Sequence, residues 1–242
     1  PRSFLDRALI AFLRWDGEKL AWALLIVVAL LSRTIGLGDR AMSHDESLHT
    51  VYSWKLFDGQ GYQHQPMMHG PLKFHLVALS YFLFGVNDWS SRLEVALFGV
   101  ALVGMAWMLR RWIGKTGAFL VGAMFAISPA LLFYSRYIRD EVMLCAIMVF
   151  WAIAMFRYIE TRQTKWLYLT GVALALAFIT MEVSFIFGAL FGGFLVAALA
   201  AELWRADWPD PSLRYPFRML ASFAGPAIAA GVLFLVLRQI AP

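Results

Sequence analysis

Residues 71–86 read Pro71-Leu72-Lys73-Phe74-His75-Leu76-Val77-Ala78-Leu79-Ser80-Tyr81-Phe82-Leu83-Phe84-Gly85-Val86. Whether they cross a membrane decides how the rest of the chain is threaded. The run is apolar but short, opens on a proline, and carries Lys73 and His75 in its first turn and a half. A hydrocarbon core of ~30 Å calls for about 20 apolar residues in a helix.

Working outward, seven other runs have the length and apolarity to span: Leu20–Leu37, Leu93–Leu109, Gly117–Ser135, Val142–Phe156, Trp166–Met181, Val183–Ala201 and Met219–Leu237. If 71–86 does not span, the inner loops are 1–19, 110–115, 157–165 and 205–218. These hold 13 of the 21 Lys and Arg residues, as the positive-inside rule requires. If it spans, every later loop inverts and only 8 basic residues remain inside. The charge distribution therefore predicts a helix lying on or dipping into the outer surface.

Composition agrees with that class. Of 242 residues, 61% are hydrophobic and 15% charged, with a mean hydropathy of +0.66. These values exclude a soluble globule and predict an all-α polytopic membrane protein. A single cysteine, Cys145, sits inside an apolar run, which excludes a disulfide framework or multi-cysteine metal site within the chain. The net charge of +5 reports loop orientation first, and nothing points to nucleic acid. The expected organisation is an inner-surface amphipathic helix over 1–19, then a transmembrane module over 20–242 whose first outer loop is 38–91. Pro1 stands where an initiator Met would, and an apolar run ends just before Pro242, so the chain reads as an N-terminal part of a longer protein.

The large loop carries the chemistry-bearing residues. Ser43 and Glu46 have capping-box spacing, so a helix starts there. Asp45, His49 and Tyr52 then share one face. Asp45 and Glu46 read either as cleft carboxylates or as plain partners of the helix dipole. All five histidines, His44, His49, His64, His69 and His75, fall in this loop. A divalent metal is thus conceivable, but Glu46 with His49 would need further ligands, and no cofactor is fixed. A second outer loop carries Arg136, Arg139, Asp140 and Glu141 between apolar spans. Such groups mark a functional site or snorkel to the headgroups. Glu182 reaches the same face as a weaker candidate, and Glu94 reads as an interfacial anchor.

Four stretches, in order, resemble motifs of the GT-C membrane glycosyltransferases, the class containing protein O-mannosyltransferases and the lipid A aminoarabinose transferase. His44-Asp45-Glu46 resembles the acidic motif of the first outer loop, and His69-Gly70-Pro71-Leu72 is similar to H-x-P-L or K-P-P-L. Ser91-Arg92-Leu93 with Arg110-Arg111-Trp112-Ile113-Gly114 looks like the R-L-P helix and its basic inner turn. Ser128-Pro129-Ala130, Tyr134-Ser135-Arg136 and Arg139-Asp140-Glu141 resemble the S-P…Y-S-R…R-x-D segment. Within the class, the chain is most similar to prokaryotic flippase-activity-associated, mannosyltransferase-like proteins.

The resemblance implies a module of about seven spans with outer juxtamembrane helices in the first outer loop. It implies inverting transfer of a hexosyl or mannosyl unit from a polyprenyl-phosphate-linked donor, at the extracytoplasmic face of a multi-pass inner-membrane protein. Asp45 matches the carboxylate that activates the acceptor, and Glu46 its neighbour. Glu141 falls where the family usually has Asp, with Asp140 beside it. The lysine preceding P-L is replaced by His69-Gly70, and a T-K-G-like stretch reads Thr180-Met181-Glu182. Arg136, Arg139 and His69 are therefore expected to supply the charge for a lipid phosphate. Membrane lipid and the donor are the implied partners, the acceptor is unspecified, and a larger membrane assembly stays open. The rival readings are a non-catalytic polyprenyl-lipid binding or flipping component and a structural subunit.

Overall fold

The computed structural model describes residues 16–63, 68–208 and 210–224. The expected helix over 1–19 and the run 219–237 fall largely outside them. Among the described residues the protein is helical throughout, with no strand. The helices are α1 (Gly17–Thr34), α2 (His44–Phe57), α3 (Leu72–Phe84), α4 (Asp88–Ile127), α5 (Pro129–Tyr134), α6 (Glu141–Thr161), α7 (Thr164–Phe178) and α8 (Ser184–Arg205). α4, α6 and α8 have the length and composition to cross a membrane. α1 matches them in length but carries Glu18, Lys19 and Arg33.

α4 is a helical hairpin. Gly114 takes φ 75° and ψ 171°, a left-handed conformation that glycine adopts without a Cβ penalty, and the chain reverses there. Packing levels show the reversal. Trp22 of α1 meets Ala106 and Ala118, one from each limb, and Ala29 meets Val103 and Ala126. Ala118, Gly122 and Ala126 recur every four residues on the returning limb, a small-residue stripe that lets α1 approach closely. A Cβ at Gly122 would lie 2.8 Å from the Trp22 ring. Between lipid-soluble helices such close packing replaces the hydrophobic effect as the associating force. Fully buried Arg33 keeps its charge inside this layer by donating to the Ala29, Phe125 and Ala126 carbonyls, at 3.3, 2.9 and 3.5 Å.

The bundle has two differently charged ends. At one, Glu18 pairs with Arg110 and Lys115 at 3.0 and 2.6 Å, and Glu160 with Arg111 at 2.7 Å. At the other lie the starts of α2, α4 and α6 and the α7–α8 connection. α3 joins that second end at both of its own termini. Leu72 N–H donates to the Ile179 carbonyl at 3.1 Å at its start. Ser80 Oγ donates to the Ser90 carbonyl, and Tyr81 shares a hydrogen bond with Ser91, both at 2.7 Å, near its close. At 1.5 Å per residue its 13 residues reach about 20 Å, too short to cross. α3 is therefore a juxtamembrane helix, seated on Val95, Val142 and Met143 through Leu72 and Leu76, and α2 packs against it, with the His49 and Phe74 rings 5.9 Å apart.

The chain divides into a unit ending at Phe185 and a unit beginning at Ile186. In the second, Trp208 packs on Phe217 with ring centroids 5.3 Å apart, and the Arg218 guanidinium lies 5.1 Å from the Trp204 ring.

Candidate functional site

The charged residues singled out in the sequence gather at the end of the bundle where α3 lies. The α2 N-terminus is organised by its capping box. Ser43 Oγ accepts from Glu46 N–H, while Glu46 Oε2 accepts from Ser43 N–H at 3.1 Å. The reach of that carboxylate brings it to Arg92 at the start of α4, whose Nε and Nη2 donate to Oε1 and Oε2 at 2.9 and 3.3 Å. Arg40 adds a bond of 2.8 Å and Ile138 N–H one of 3.3 Å. Glu46 and Arg92 are both fully buried. Burial alone would raise the Glu46 carboxyl, but hydrogen bonds from Arg92 and Ser43, with the charges of Arg92 and Arg40, hold it below the ordinary carboxylate range. Both Glu46 oxygens are occupied, so this residue ties α2, α4 and the 136–140 loop together.

Asp45, one position earlier, turns away from that hub. Its side chain is 50% exposed and receives Arg139 Nη1 at 3.2 Å. Arg139 Nε in turn forms an ion pair with Glu141 Oε1 at 2.9 Å. A half-exposed carboxylate held by one guanidinium remains open to a proton donor from the cleft.

Beneath this pair lies a buried cluster. Lys73, on the first turn of α3, is fully buried, with Nζ 2.5 Å from Asp140 Oδ2 and 3.3 Å from His49 Nε2. Burial pushes the ammonium down and the Asp140 carboxyl up, both toward neutral forms, and their mutual contact opposes burial in each. His49 is lowered to about 3 by burial and by the charges of Lys73, Arg139 and His69, so it is a neutral imidazole. Several buried polar atoms here have no hydrogen-bond partner among the described residues: Asp140 Oδ1, Glu141 Oε2, His49 Nδ1 and both Glu94 oxygens. Glu94, expected as an interfacial anchor, is instead buried within the protein.

His69 and Glu182 meet at the rim, with Nδ1 and Oε2 2.8 Å apart. The contact rests on a main-chain junction in which Gly70 N–H donates to the Thr180 carbonyl at 3.0 Å. A Cβ at Gly70 would collide with the Ile179 carbonyl, so only glycine fits. Arg136, expected at a lipid phosphate, donates instead to the carbonyls of Ser32, Ile35 and Gly36 at 2.8, 2.8 and 2.9 Å, closing the C-terminus of α1. His44 is exposed on the first turn of α2. Among the described residues no three His, Cys, Asp or Glu side chains converge to hold a metal ion, and His64 lies outside them.

Lys73 and Arg92 belong to this buried charge cluster, and spacing alone did not nominate them. A lysine two residues after Pro71 inside an apolar run was the available signal for one. For the other it was an arginine at the head of a span, since both positions are costly without a partner.

Helix order, hairpin and juxtamembrane pair define a membrane fold of the GT-C class. ArnT from Cupriavidus metallidurans in its apo state superposes with a TM-score of 0.66 at 21% identity, over 76% of this chain and 37% of its own. The same protein bound to undecaprenyl phosphate matches with a TM-score of 0.66 and 21% identity, over 84% of this chain and 42% of its own. The chain thus spans about two fifths of the length of that protein. A sequence profile of the dolichyl-phosphate-mannose-protein mannosyltransferase family matches residues 68–213, and the chain belongs to that family. The matched segment includes Lys73, Arg92, Arg139 and Asp140 and begins after Asp45. No curated protein sequence matches the chain.

Proposed function

We propose that the protein is an integral-membrane glycosyltransferase that moves a sugar from a polyprenyl-phosphate-linked donor to an acceptor at the extracytoplasmic face of a cytoplasmic membrane. The observation that carries this reading is the half-exposed Asp45–Arg139 pair set above buried carboxylate oxygens that lack donors. A hexose presents hydroxyl donors all around its ring, which suits the half-exposed Asp45 carboxylate. The undecaprenyl phosphate bound to a protein of the same fold supports the donor class. The Arg110, Arg111 and Lys115 turn, at the opposite end of the bundle, supports the orientation through the positive-inside rule.

In this mechanism the acceptor hydroxyl oxygen attacks the anomeric carbon as the bond from that carbon to the phosphate oxygen breaks. The configuration inverts, the hydroxyl proton passes to Asp45, and the polyprenyl phosphate leaves with the bonding electrons. Asp45 acts as general base within hydrogen-bond reach of the acceptor. Arg139, beside it, stabilises the departing phosphate, with His69 at the rim. Glu46 and Arg136 position the loops. The test is transfer of labelled sugar from a polyprenyl-phosphate donor by the purified full-length protein and by its Asp45→Asn variant. Transfer by wild type and its loss in the variant is the expected result. Equal transfer by both sinks the base assignment and favours a lipid-carrier binding role.

A further inference from the structure

The end of the bundle opposite the candidate site holds a second feature that the transfer reaction leaves unused. Where the α4 hairpin turns, a cleft of about 550 Å³ is lined by Trp107, Met108, Arg110, Arg111, Lys115 and Arg157. Four of its six lining residues are cations. The positive-inside rule accounts for cations at this end, since scattered basic residues on solvated loops would satisfy it. It does not account for their convergence on one concavity.

Neighbouring acids only partly neutralise the cleft. Glu18 faces Arg110 and Lys115, and Glu160 faces Arg111. Asp16 lies close enough to feel Lys115 and Arg110. Against these three carboxylates stand the four cleft cations and Lys19, leaving an excess of positive charge. Arg157 has no carboxylate partner among the described residues, and its guanidinium lies 5.3 Å from the Trp166 ring centroid. Arg110 lies 4.0 Å from the Trp107 centroid. Guanidinium groups stacked on rings keep their donor edges directed outward, a geometry suited to phosphate.

Two apolar grooves run away from this cleft along the helices that form it. One, of about 620 Å³, lies between α1 and the first limb of α4 and is lined by Lys19, Trp22, Ala23, Ile26, Val27 and Gly104. Trp107 lines both this groove and the basic cleft. The other, of about 320 Å³, lies between α4 and α6, lined by Leu109, Ile113, Ile153 and Phe156. Its residues interleave in sequence with those of the cleft. An anion-attracting pocket whose walls continue into apolar grooves fits an amphiphile with a phosphate head and hydrocarbon tails.

We propose that this cleft binds the headgroup of an anionic phospholipid, with an acyl chain lying in the groove beside Trp22 and Gly104. The site is separate from the Asp45 cluster, and its occupancy does not depend on the transfer reaction. Basic pockets between spans are the recurring means by which membrane proteins hold such lipids. A lipid seated there would bridge α1, both ends of the hairpin turn and α6.

The experiment is native mass spectrometry of the purified full-length protein in detergent, with equal mole ratios of phosphatidylglycerol or phosphatidylcholine added, and separately inorganic phosphate. Retention of phosphatidylglycerol over phosphatidylcholine is expected. The Lys115→Gln/Arg157→Gln variant is expected to lose it by about thirty-fold, two surface charges acting together. Should the double variant not fold, Lys115→Gln alone, at a side chain 72% exposed, is expected to lose about five-fold. Lys55→Gln, an equal charge change on α2, is expected to leave retention unchanged. Equal retention of the two lipids, or loss with Lys55→Gln as large as with Lys115→Gln, would overturn the proposal. So would displacement of bound lipid by inorganic phosphate at matched concentration, which would mark a site for a soluble anion.

Discussion

Asp45 and Glu46 are adjacent acids whose removal should have opposite consequences. Glu46→Gln keeps the shape but leaves the Arg92 guanidinium, fully buried, without its counter-ion. It also puts an amide NH₂ where one carboxylate oxygen stood, against the donors of Arg92 and Ile138 at one position or of Arg40, Ser43 and Arg92 at the other. Breaking a buried pair by removing one partner costs about 3–5 kcal/mol, a large share of the 5–15 kcal/mol typical of a folded domain. Asp45→Asn weakens only a half-exposed pair with Arg139, for which less than about 1 kcal/mol is expected. As the proposed base, however, its loss should lower turnover by about 10²- to 10⁴-fold. The assay pairs sugar transfer with thermal unfolding in detergent, followed by reaction of the Cys145 thiol with a fluorogenic maleimide. Glu46→Gln should unfold well below wild type, whereas Asp45→Asn should unfold with wild type and fail to transfer. A Glu46→Gln protein melting with wild type would refute the hub.

The remaining expectations concern charge and orientation. His49 is held near pKa 3 in the fold, below the ordinary 6.5, so between those values the unfolded chain binds a proton that the folded chain refuses. Stability should therefore fall as pH drops below 6.5, by roughly 2 kcal/mol at pH 5, and His49→Gln should flatten that slope in pH-dependent melting. Arg139→Ala should raise the donor KM more than it lowers kcat, measured by initial rates over a donor series, because a lost phosphate contact weakens the ground state as well. Lys73→Met should free the Asp140 carboxylate from its buried partner and destabilise the α3–α6 contact, read as a lower melting temperature with unchanged helicity. Cysteines placed at Gln60, in a Cys145→Ala background, should react with a membrane-impermeant thiol reagent in intact cells, and those at Lys115 and Lys165 should not; labelling at 115 or 165 would invert the topology.

The fold was legible because membrane insertion leaves a coarse signature. The apolar runs correspond to α1, the two limbs of α4, α6, α7 and α8, of which α4, α6 and α8 have the length and composition to cross, and a charge count set the short run of α3 apart. The turn at Gly114 was visible as the basic stretch Arg110 to Lys115. The charged residues that gather at the candidate site were legible in the sequence, Lys73 and Arg92 apart, but their arrangement was not. Asp45 and Glu46 are indistinguishable as a dipeptide at a helix start. What separates them is the roughly 100° rotation between successive helical residues, which sends one to Arg92 and the other to Arg139. Arg136 and Arg139 likewise look equivalent in the loop, yet the former is consumed by the open carbonyls of α1, whose position no local pattern reveals. Lys73 reads as an impurity in an apolar run until Asp140, far along the chain, comes to meet it.

The junction at Gly70 has a consequence for how this loop can drift in sequence. Its two bonds, Gly70 N–H to Thr180 and Leu72 N–H to Ile179, are made by main chain alone, so the seam places no demand on the side chains of Met181 and Glu182, whereas Thr180 is fully buried. A stretch that reads Thr180-Met181-Glu182 in place of a lysine-containing one is then a permitted respelling. Position 70 has no such freedom, and neither does the spacing: one residue inserted between Gly70 and Leu72 would slide α3 out of register, carrying Lys73 away from Asp140.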